Sequence, residues 1–428
     1  MSQAIPTPHR RRLLVFGINY APEHSGNGPY TTGLAEHFAA AGWDVTVVTG
    51  MPHYPAWRVD PAYRGRLAVT EQRNGVTVRR RALFVPATQT ATRRALYEAS
   101  FLASAFPIGG IDRPDAIVGI VPSLGDGILA RLFAARFHAP YGLLFQDLMG
   151  PAAVQSGIEG GGSVARATRR AEQWAVERAR AVAAVTEAFF PYLESLGVPR
   201  DRLAHVPNWT HIASPSRDRE AVRRELGWND GHTVVLHAGN MGLKQGLAQV
   251  VDAARLAATN ADRIRFVLLG DGSQRADLER QAADLPTLAF MDPVPDDRFP
   301  DILGAADVLL LSERPSVRDM SLPSKLTSYV TAGRPIVAAV APGGTTAQEV
   351  EGSGIGLVVP AGDPAALLRA IRRLASEPDL SAHLARAARE YAASRSDRER
   401  ATARLDAFVA LVTRTAAAHA PSLTREAA

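Results

Sequence analysis

Val234-Val235-Leu236-His237-Ala238-Gly239-Asn240-Met241-Gly242-Leu243-Lys244-Gln245-Gly246 holds a strand, a glycine-rich turn and the approach to a helix in one short run. The continuous β-branched and leucine segment reads as a strand, Thr233 to His237, buried on both faces rather than alternating with solvent. The glycines after it let backbone N–H groups come close to an anion at a helix start. The same order recurs near the beginning of the chain. Leu13–Phe16 reads as a strand, Asn19-Tyr20-Ala21-Pro22-Glu23-His24-Ser25-Gly26-Asn27-Gly28-Pro29-Tyr30 as the loop, and Thr31 to Ala41 as a helix closed by Gly42.

Working outward, strands are predicted at Asp44–Thr49, Val76–Arg80, Ala116–Ile120, Tyr141–Phe145, Ala181–Val185 and Ala204–Val206. A second set follows at Ile264–Leu269, Leu288–Met291, Val308–Leu311, Pro335–Ala339 and Gly356–Val359. Helical patterns separate most of them, which is the signature of parallel sheets covered on both faces. Periodicity stops around Pro207-Asn208-Trp209 and Ala213-Ser214-Pro215-Ser216, so a domain boundary is expected there. The fold class is α/β, with two Rossmann-like doubly wound domains facing an interdomain cleft. The expected division is 1–209, 210–395, and a C-terminal helical stretch at 396–428 that packs back towards the first domain and ends in a frayed tail from Ala416.

Composition narrows the chemistry. The 428 residues include no cysteine, so a disulfide framework, a thiolate metal site and a cysteine nucleophile are excluded. The formal charge of +5 arises from 48 basic against 43 acidic residues mixed along the chain, and no nucleic-acid module accompanies it; no nucleic-acid partner is expected. Arg10-Arg11-Arg12 before Leu13-Leu14-Val15-Phe16 imitates a secretory signal, but the apolar run ends at Asn19 without a cleavage motif. A cytoplasmic location is expected.

Of the 48 basic residues only two are lysines, Lys244 and Lys325. Both are predicted at the amino end of a helix that follows a strand, where a cation opposes the helix dipole by roughly 0.3–1 kcal/mol. Lys325 stands in Ser321-Leu322-Pro323-Ser324-Lys325-Leu326, where Pro323 or Ser324 should open a helix ending near Gly333. An anion at each end would reverse the penalty. Gly270-Asp271-Gly272-Ser273 and Gly343-Gly344-Thr345-Thr346-Ala347-Gln348-Glu349 follow other strands of the same sheet and can present amides to a diphosphate. Thr346 and Glu349 also have capping-box spacing, and Glu349 reads as a cap before a ribose ligand. The glycine spacing is not that of a nicotinamide cofactor, and no cofactor is expected.

Together these motifs resemble the retaining nucleotide-sugar glycosyltransferases of family 4, with GT-B architecture, nearest the colanic-acid and exopolysaccharide type. The resemblance runs through Gly17-Ile18-Asn19-Tyr20-Ala21-Pro22-Glu23, Met51-Pro52-His53-Tyr54-Pro55, Gln146-Asp147-Leu148, Pro207-Asn208-Trp209, Gly239-Asn240-x-Gly242-x-Lys244-Gln245-Gly246 and Pro323-Ser324-Lys325-Leu326. It implies a C-terminal domain holding a UDP- or GDP-type sugar and an N-terminal domain holding a glycan or lipid-linked acceptor. Lys244 would neutralise the leaving phosphate and Lys325 would close the same pocket. Gly26 and Gly28 match the glycine loop near the diphosphate, and Met291 to Pro295, with Val294, matches the loop that cradles the base. Donor contacts are also expected from Gly239, Asn240, Gly242, Gly270, Gly272, Ser324, Gly344 and Thr345.

The family's glutamate pair is missing: the positions that would carry it are Met320 and Ser328, leaving Ser328 and Glu349 to reach a ribose. Neither Asp-x-Asp nor His-x-x-x-His occurs, so a metal-independent transfer is expected, with Lys244, Lys325 and backbone amides in place of Mg²⁺. Asp147, just after a strand, is the candidate acid/base contact to the acceptor. Arg58 to Arg94 carries nine arginines against Asp60 and Glu71, beside Tyr54, Trp57, Tyr63, Phe84 and the run Leu96-Tyr97-Phe101-Leu102-Phe106. That suits docking on an anionic membrane from its inner face. The other readings are a GT-B-type nucleotide-sugar epimerase and a non-catalytic nucleotide-sugar binder.

Overall fold

The computed structural model describes residues 10–24, 26–87, 90–155, 161–228, 231–319, 321–395 and 397–414. Met320 and the expected tail from Ala416 lie outside them. Two sheets organise the chain. The first contains β1 (Arg12–Phe16), β2 (Asp44–Gly50), β3 (Ala68–Arg73), β4 (Val76–Arg81), β5 (Ala116–Val121), β6 (Tyr141–Phe145), β7 (Ala181–Ala184) and β8 (Leu203–His205). Their order is β3-β4-β2-β1-β5-β6-β7-β8. All pairs are parallel except β3 with β4.

The second sheet contains β9 (Thr233–Ala238), β10 (Ile264–Leu269), β11 (Leu288–Met291), β12 (Val308–Ser312), β13 (Ile336–Val340) and β14 (Gly356–Pro360), in the order β11-β10-β9-β12-β13-β14 and wholly parallel. Strand order reverses between β1 and β5 in one sheet and between β9 and β12 in the other. Helices leave in opposite directions at such points and open a crevice at the carboxyl ends of the strands.

The helices of the first half are α1 (Gly28–Ala40), α2 (Ala91–Ala105), α3 (Leu124–Phe137), α4 (Met149–Gln155), α5 (Gly161–Glu177) and α6 (Phe190–Ser195). Those of the second are α7 (Arg219–Glu225), α8 (Ala248–Thr259), α9 (Arg275–Gln281), α10 (Phe299–Ala305), α11 (Lys325–Ala332), α12 (Thr345–Ser353), α13 (Pro364–Ser376) and α14 (Pro378–Arg395). The last helix, α15 (Arg398–Thr413), returns to the first sheet, where Leu405, Phe408, Val409 and Val412 are buried with Leu13, Val15 and Val118. Burying such a side chain contributes about 1.5–3 kcal/mol, so α15 completes the core of the first lobe.

Two differences from the sequence reading have local causes. Strand β3 was not expected because its six residues, Ala-Val-Thr-Glu-Gln-Arg, bury none of their side chains. It is an edge strand held by pairing with β4 across Asn74-Gly75, both at positive φ, the turn chemistry of a tight hairpin. Helix α1 starts at Gly28, not Thr31, because Pro29 is well placed in a first helical turn.

Candidate functional site

At the carboxyl edge of the second sheet the loops after β9, β10 and β12 converge. Gly239 adopts φ +119°, and a Cβ built there would stand 2.8 Å from Lys325 Cε. Lys325 Nζ donates to the Asn240 carbonyl at 3.4 Å. Asn240 in turn faces Gly242 and Gly272, where an added Cβ would lie 2.8 Å from its Nδ2 and 2.7 Å from its Oδ1. Met241 N donates to Asp271 O at 2.8 Å, tying the two loops together. Gly239, Asn240, Gly242, Gly270, Gly272 and Lys325 thus form one close-packed floor.

Lys244 sits in a single 3-10 turn, Leu243–Gln245, and α8 begins only at Ala248 after Gly246 at φ +56°. The expected position at a helix start is corrected for this residue, since a three-residue turn carries little dipole. For Lys325, the first residue of α11, it stands. The two ammonium groups nonetheless act on one another electrostatically. Burial first, and then the charge of Lys244, push the Lys325 amine down to about 8 against the pull of Glu313.

Glu313 was missed by the sequence reading, and only its place after β12, at the reversal of strand order, could have flagged it. It is 4% exposed and accepts from Thr346 Oγ1 at 2.9 Å. Burial pushes its carboxyl up, while Lys244, Thr346 and Lys325 pull it down. Both cations therefore act on Glu313, and Lys244 acts also on Asp147 of the first lobe.

Thr346 is consequently no cap. Helix α12 has Gly344 at its N-cap, and Thr345 N donates to Arg318 O at 2.8 Å. Glu349, expected to cap, faces the first lobe: it accepts from Tyr391 OH at 2.8 Å and Thr186 Oγ1 at 3.3 Å. Ser324 is the N-cap residue of α11 without a side-chain cap bond, and Ser328 is buried in the same helix at 7% exposure. Val294 packs against the apolar cluster that contains Leu236 and Leu269. An ion pair from Arg275 to Asp292 at 2.7 Å fastens that loop to α9.

The first lobe supplies the facing wall. Asp147 pairs with Ser321 in an antiparallel bridge between the lobes, and Ser321 Oγ accepts from Lys244 Nζ. Burial raises the Asp147 carboxyl to about 6, opposed first by Lys244 and then by Arg94. Glu23 accepts from His53 N at 2.7 Å, Tyr54 N at 2.8 Å and Asn19 Nδ2 at 2.9 Å. It clasps the loops after β1 and β2 around a cavity of about 250 Å³, whose lining includes Gly26, Tyr54, Trp57, Arg94 and Asp147. Gly26 has φ +64°, and a Cβ there would stand 2.8 Å from the Tyr54 ring. Gly28 has Glu23 O at 2.7 Å from where a Cβ would be, and it opens α1.

The expected basic aromatic face is partly dismantled. Arg80 is 1% exposed and paired with Glu71 at 2.7 Å, and Arg94 lies over Trp57 and Tyr97 at 5.4 and 5.3 Å from the ring centroids. Tyr97 and Phe101 point into the core, whereas Leu67, Leu96 and Phe106 are exposed. Among the described residues no helix is long and apolar enough to cross a membrane.

Comparison with known proteins identifies the family and agrees with the fold. Residues 25–209 match the family model described as glycosyl transferase 4-like domain, and residues 218–391 match glycosyl transferases group 1. WcaI of Escherichia coli (strain K12), assigned as a glycosyl transferase of colanic acid biosynthesis, is 33% identical over 343 residues, 75% of this chain and 81% of that protein. Among solved structures, sucrose-phosphate synthase of Thermosynechococcus elongatus superposes with a TM-score of 0.70 at 17% identity, covering 94% of this chain and 98% of that one. Anabaena HepE in complex with UDP-glucose gives 0.66 at 18% identity, covering 93% and 99%. Two facing parallel-sheet lobes, two matched family models and a relative sharing a third of its residues over most of both chains make this chain a family 4 glycosyltransferase of GT-B architecture, near the enzymes of colanic acid synthesis.

Proposed function

We propose that the enzyme moves a sugar from a nucleoside diphosphate to a glycan acceptor, lipid-linked in exopolysaccharide synthesis, with retention and without a metal ion. The observation that carries this reading is that Lys244, hydrogen-bonded to Ser321, and Lys325, hydrogen-bonded to the Asn240 carbonyl, act electrostatically on each other and on the buried Glu313 at the carboxyl edge of the second sheet. Negative charge develops on the leaving diphosphate as the glycosidic bond breaks, and cations already in place stabilise it more than they stabilise the intact donor. Lys244 and Lys325 would face the phosphates, and the amides of Gly239, Asn240, Gly242, Gly270, Gly272, Gly344 and Thr345 would complete the cradle. Val294 would border the base, and Ser324 and Ser328 would lie on the ribose side. Glu349, engaged with Thr186 and Tyr391, would bear on donor binding through lobe closure.

Asp147, beside Lys244 and lining the first-lobe cavity, would take the acceptor hydroxyl's proton. In a front-face transfer with retention the departing phosphate can take that proton instead. Gly26 and Gly28 would bring the α1 amides to the donor's sugar when the lobes close. The exposed Leu67, Leu96 and Phe106 beside arginines of the first lobe support docking on an anionic membrane surface, which would hold the enzyme peripherally at the inner face.

The named HepE complex contains UDP-glucose, which makes UDP sugars the first donors to try. Thermal melting with UDP, GDP, ADP and their sugars tests the donor class. A ligand at a hundred times its Kd stabilises by about 2.7 kcal/mol. Melting unmoved by every nucleotide would overturn the reading.

A further inference from the structure

The cavity of the first lobe holds two carboxylates that the transfer chemistry above does not use. Asp126, at the amino end of α3, is wholly buried; its Oδ2 accepts from Ile18 N at 2.9 Å, but Oδ1 has no partner. Glu98, on α2, accepts through Oε2 from Ser123 Oγ at 2.8 Å, and its Oε1 is likewise buried and unpaired. Both line the cavity that Asp147 also borders. Leaving a buried acceptor unsatisfied costs about 1–3 kcal/mol, more for a charged one, so such pairs mark a place where a ligand donor is expected.

We propose that this cavity takes one six-membered polyhydroxylated ring of the acceptor, neutral or amine-bearing, and that Glu98 and Asp126 select it by accepting its donors and rejecting anionic rings. The proposal rests on the acceptor reading of the first lobe. Its volume, about 250 Å³, is below the ~300–1,000 Å³ of drug-sized pockets and is on the scale of a single ring. Trp57 and Tyr54 offer apolar ring surface for the sugar's C–H faces.

Charge decides the class. Arg94 is the one cation among the described residues lining the cavity beside Glu98, Asp126 and Asp147, and it already lies over Trp57 and Tyr97, while Lys244 reaches Asp147 from the second lobe. A uronate or phosphorylated ring would bring a further anion to a lining that carries three carboxyls and one cation. Burial raises both Glu98 and Asp126, with Glu98 adding to the rise at Asp126, so a donor entering between them favours their ionised forms. Because Asp147 belongs both to this cavity and to the surroundings of Lys244, the ring hydroxyl beside it is the one that would receive the sugar.

Saturation-transfer NMR with methyl glucoside, methyl glucosaminide and methyl glucuronide on the full chain reads this site directly, without turnover. The first two are expected to bind at millimolar concentration and the glucuronide not to bind. Asp126→Asn and Glu98→Gln keep the bonds to Ile18 and Ser123 through the amide oxygen and turn the free acceptor into a donor. A hydroxyl can rotate to accept from that amide, whereas an ammonium cannot. The glucosaminide should therefore lose at least tenfold in affinity, the glucoside less, and the double variant should admit the glucuronide.

Glucuronide binding as well as the glucoside, absence of binding by all three, or amide variants with unchanged ranking would each overturn the proposal. The ranking on the unaltered protein decides even if a variant does not fold. Nucleotide-induced melting shifts report separately on the donor, so failure here and failure of the transferase reading are distinguishable.

Discussion

Asp147 of the first lobe and Ser321 of the second form an antiparallel bridge, and the Ser321 hydroxyl accepts from Lys244. One main-chain contact thus brings the proposed base of one domain to the proposed phosphate ligand of the other. The proposed acceptor cavity and the proposed donor floor meet at this point.

Removing Lys244 should expose how much the leaving group depends on it. Lys244→Ala is expected to lower turnover by on the order of a hundredfold or more, as loss of one preplaced electrostatic donor does elsewhere. Lys325→Ala should weaken nucleotide affinity in addition. Steady-state kinetics and a nucleotide titration check both, and wild-type turnover in Lys244→Ala would refute the phosphate role.

Nucleotide affinity should depend on pH through Lys325. Its amine, lowered to about 8, is charged below that value in the free enzyme, and a bound diphosphate raises it again. Affinity is therefore expected to be level from pH 6 to 7 and to fall as pH rises through 8. Glu313→Gln removes the one group that raises the Lys325 amine, so the fall should begin at lower pH. Calorimetric titrations across pH 6–9.5 measure this, and a flat profile counts against it.

Asp147→Asn should separate chemistry from stability. The carboxyl, raised to about 6, is ionised above that pH, so a base role predicts a rate limb near 6 that the variant lacks, along with most turnover. Stability carries the opposite sign. The folded state binds the Asp147 proton more tightly than the unfolded state, so ionisation costs stability as pH rises from about 4 to 6. The variant should melt higher than wild type at pH 7, with the advantage vanishing near pH 4. A lower melting point at pH 7 would contradict the burial argument.

Gly239→Ala tests the floor itself. The residue holds φ +119° and lies under Lys325 Cε, so a methyl group strains the backbone by about 1–3 kcal/mol and displaces the lysine. Nucleotide binding should weaken together with stability. Melting and titration of the same variant report both, and an unaffected nucleotide titration would show that the lysine tolerates displacement.

Much of this architecture is legible in the sequence because buried parallel strands are apolar throughout. Tyr141–Phe145 and Ile264–Leu269 are wholly or almost wholly buried, and their ends can be read to the residue. Strand β3 offered no apolar run; its Asn74-Gly75 turn was the only cue. Lys244 and Lys325 were conspicuous because arginine supplies every other basic side chain. Glu313, Glu98 and Asp126 were not, since nothing local distinguishes a carboxylate that folding will strip of water from one on the surface. Thr346 and Glu349 had the spacing of a cap, but tertiary partners claimed both side chains. Local pattern cannot anticipate a competitor brought from elsewhere in the chain.

The final helix, α15, lies on the first sheet, although α14 before it belongs to the second lobe. Among the described residues the polypeptide therefore crosses between the halves twice, once after β8 and once between α14 and α15. A body tied at two points swings about the line joining them and resists sliding or twisting off it, as a door does on a pair of hinges. Cutting the chain before Arg398 would leave a single tether, and the jaws would lose their fixed axis together with the wedge that fills the back of the front one.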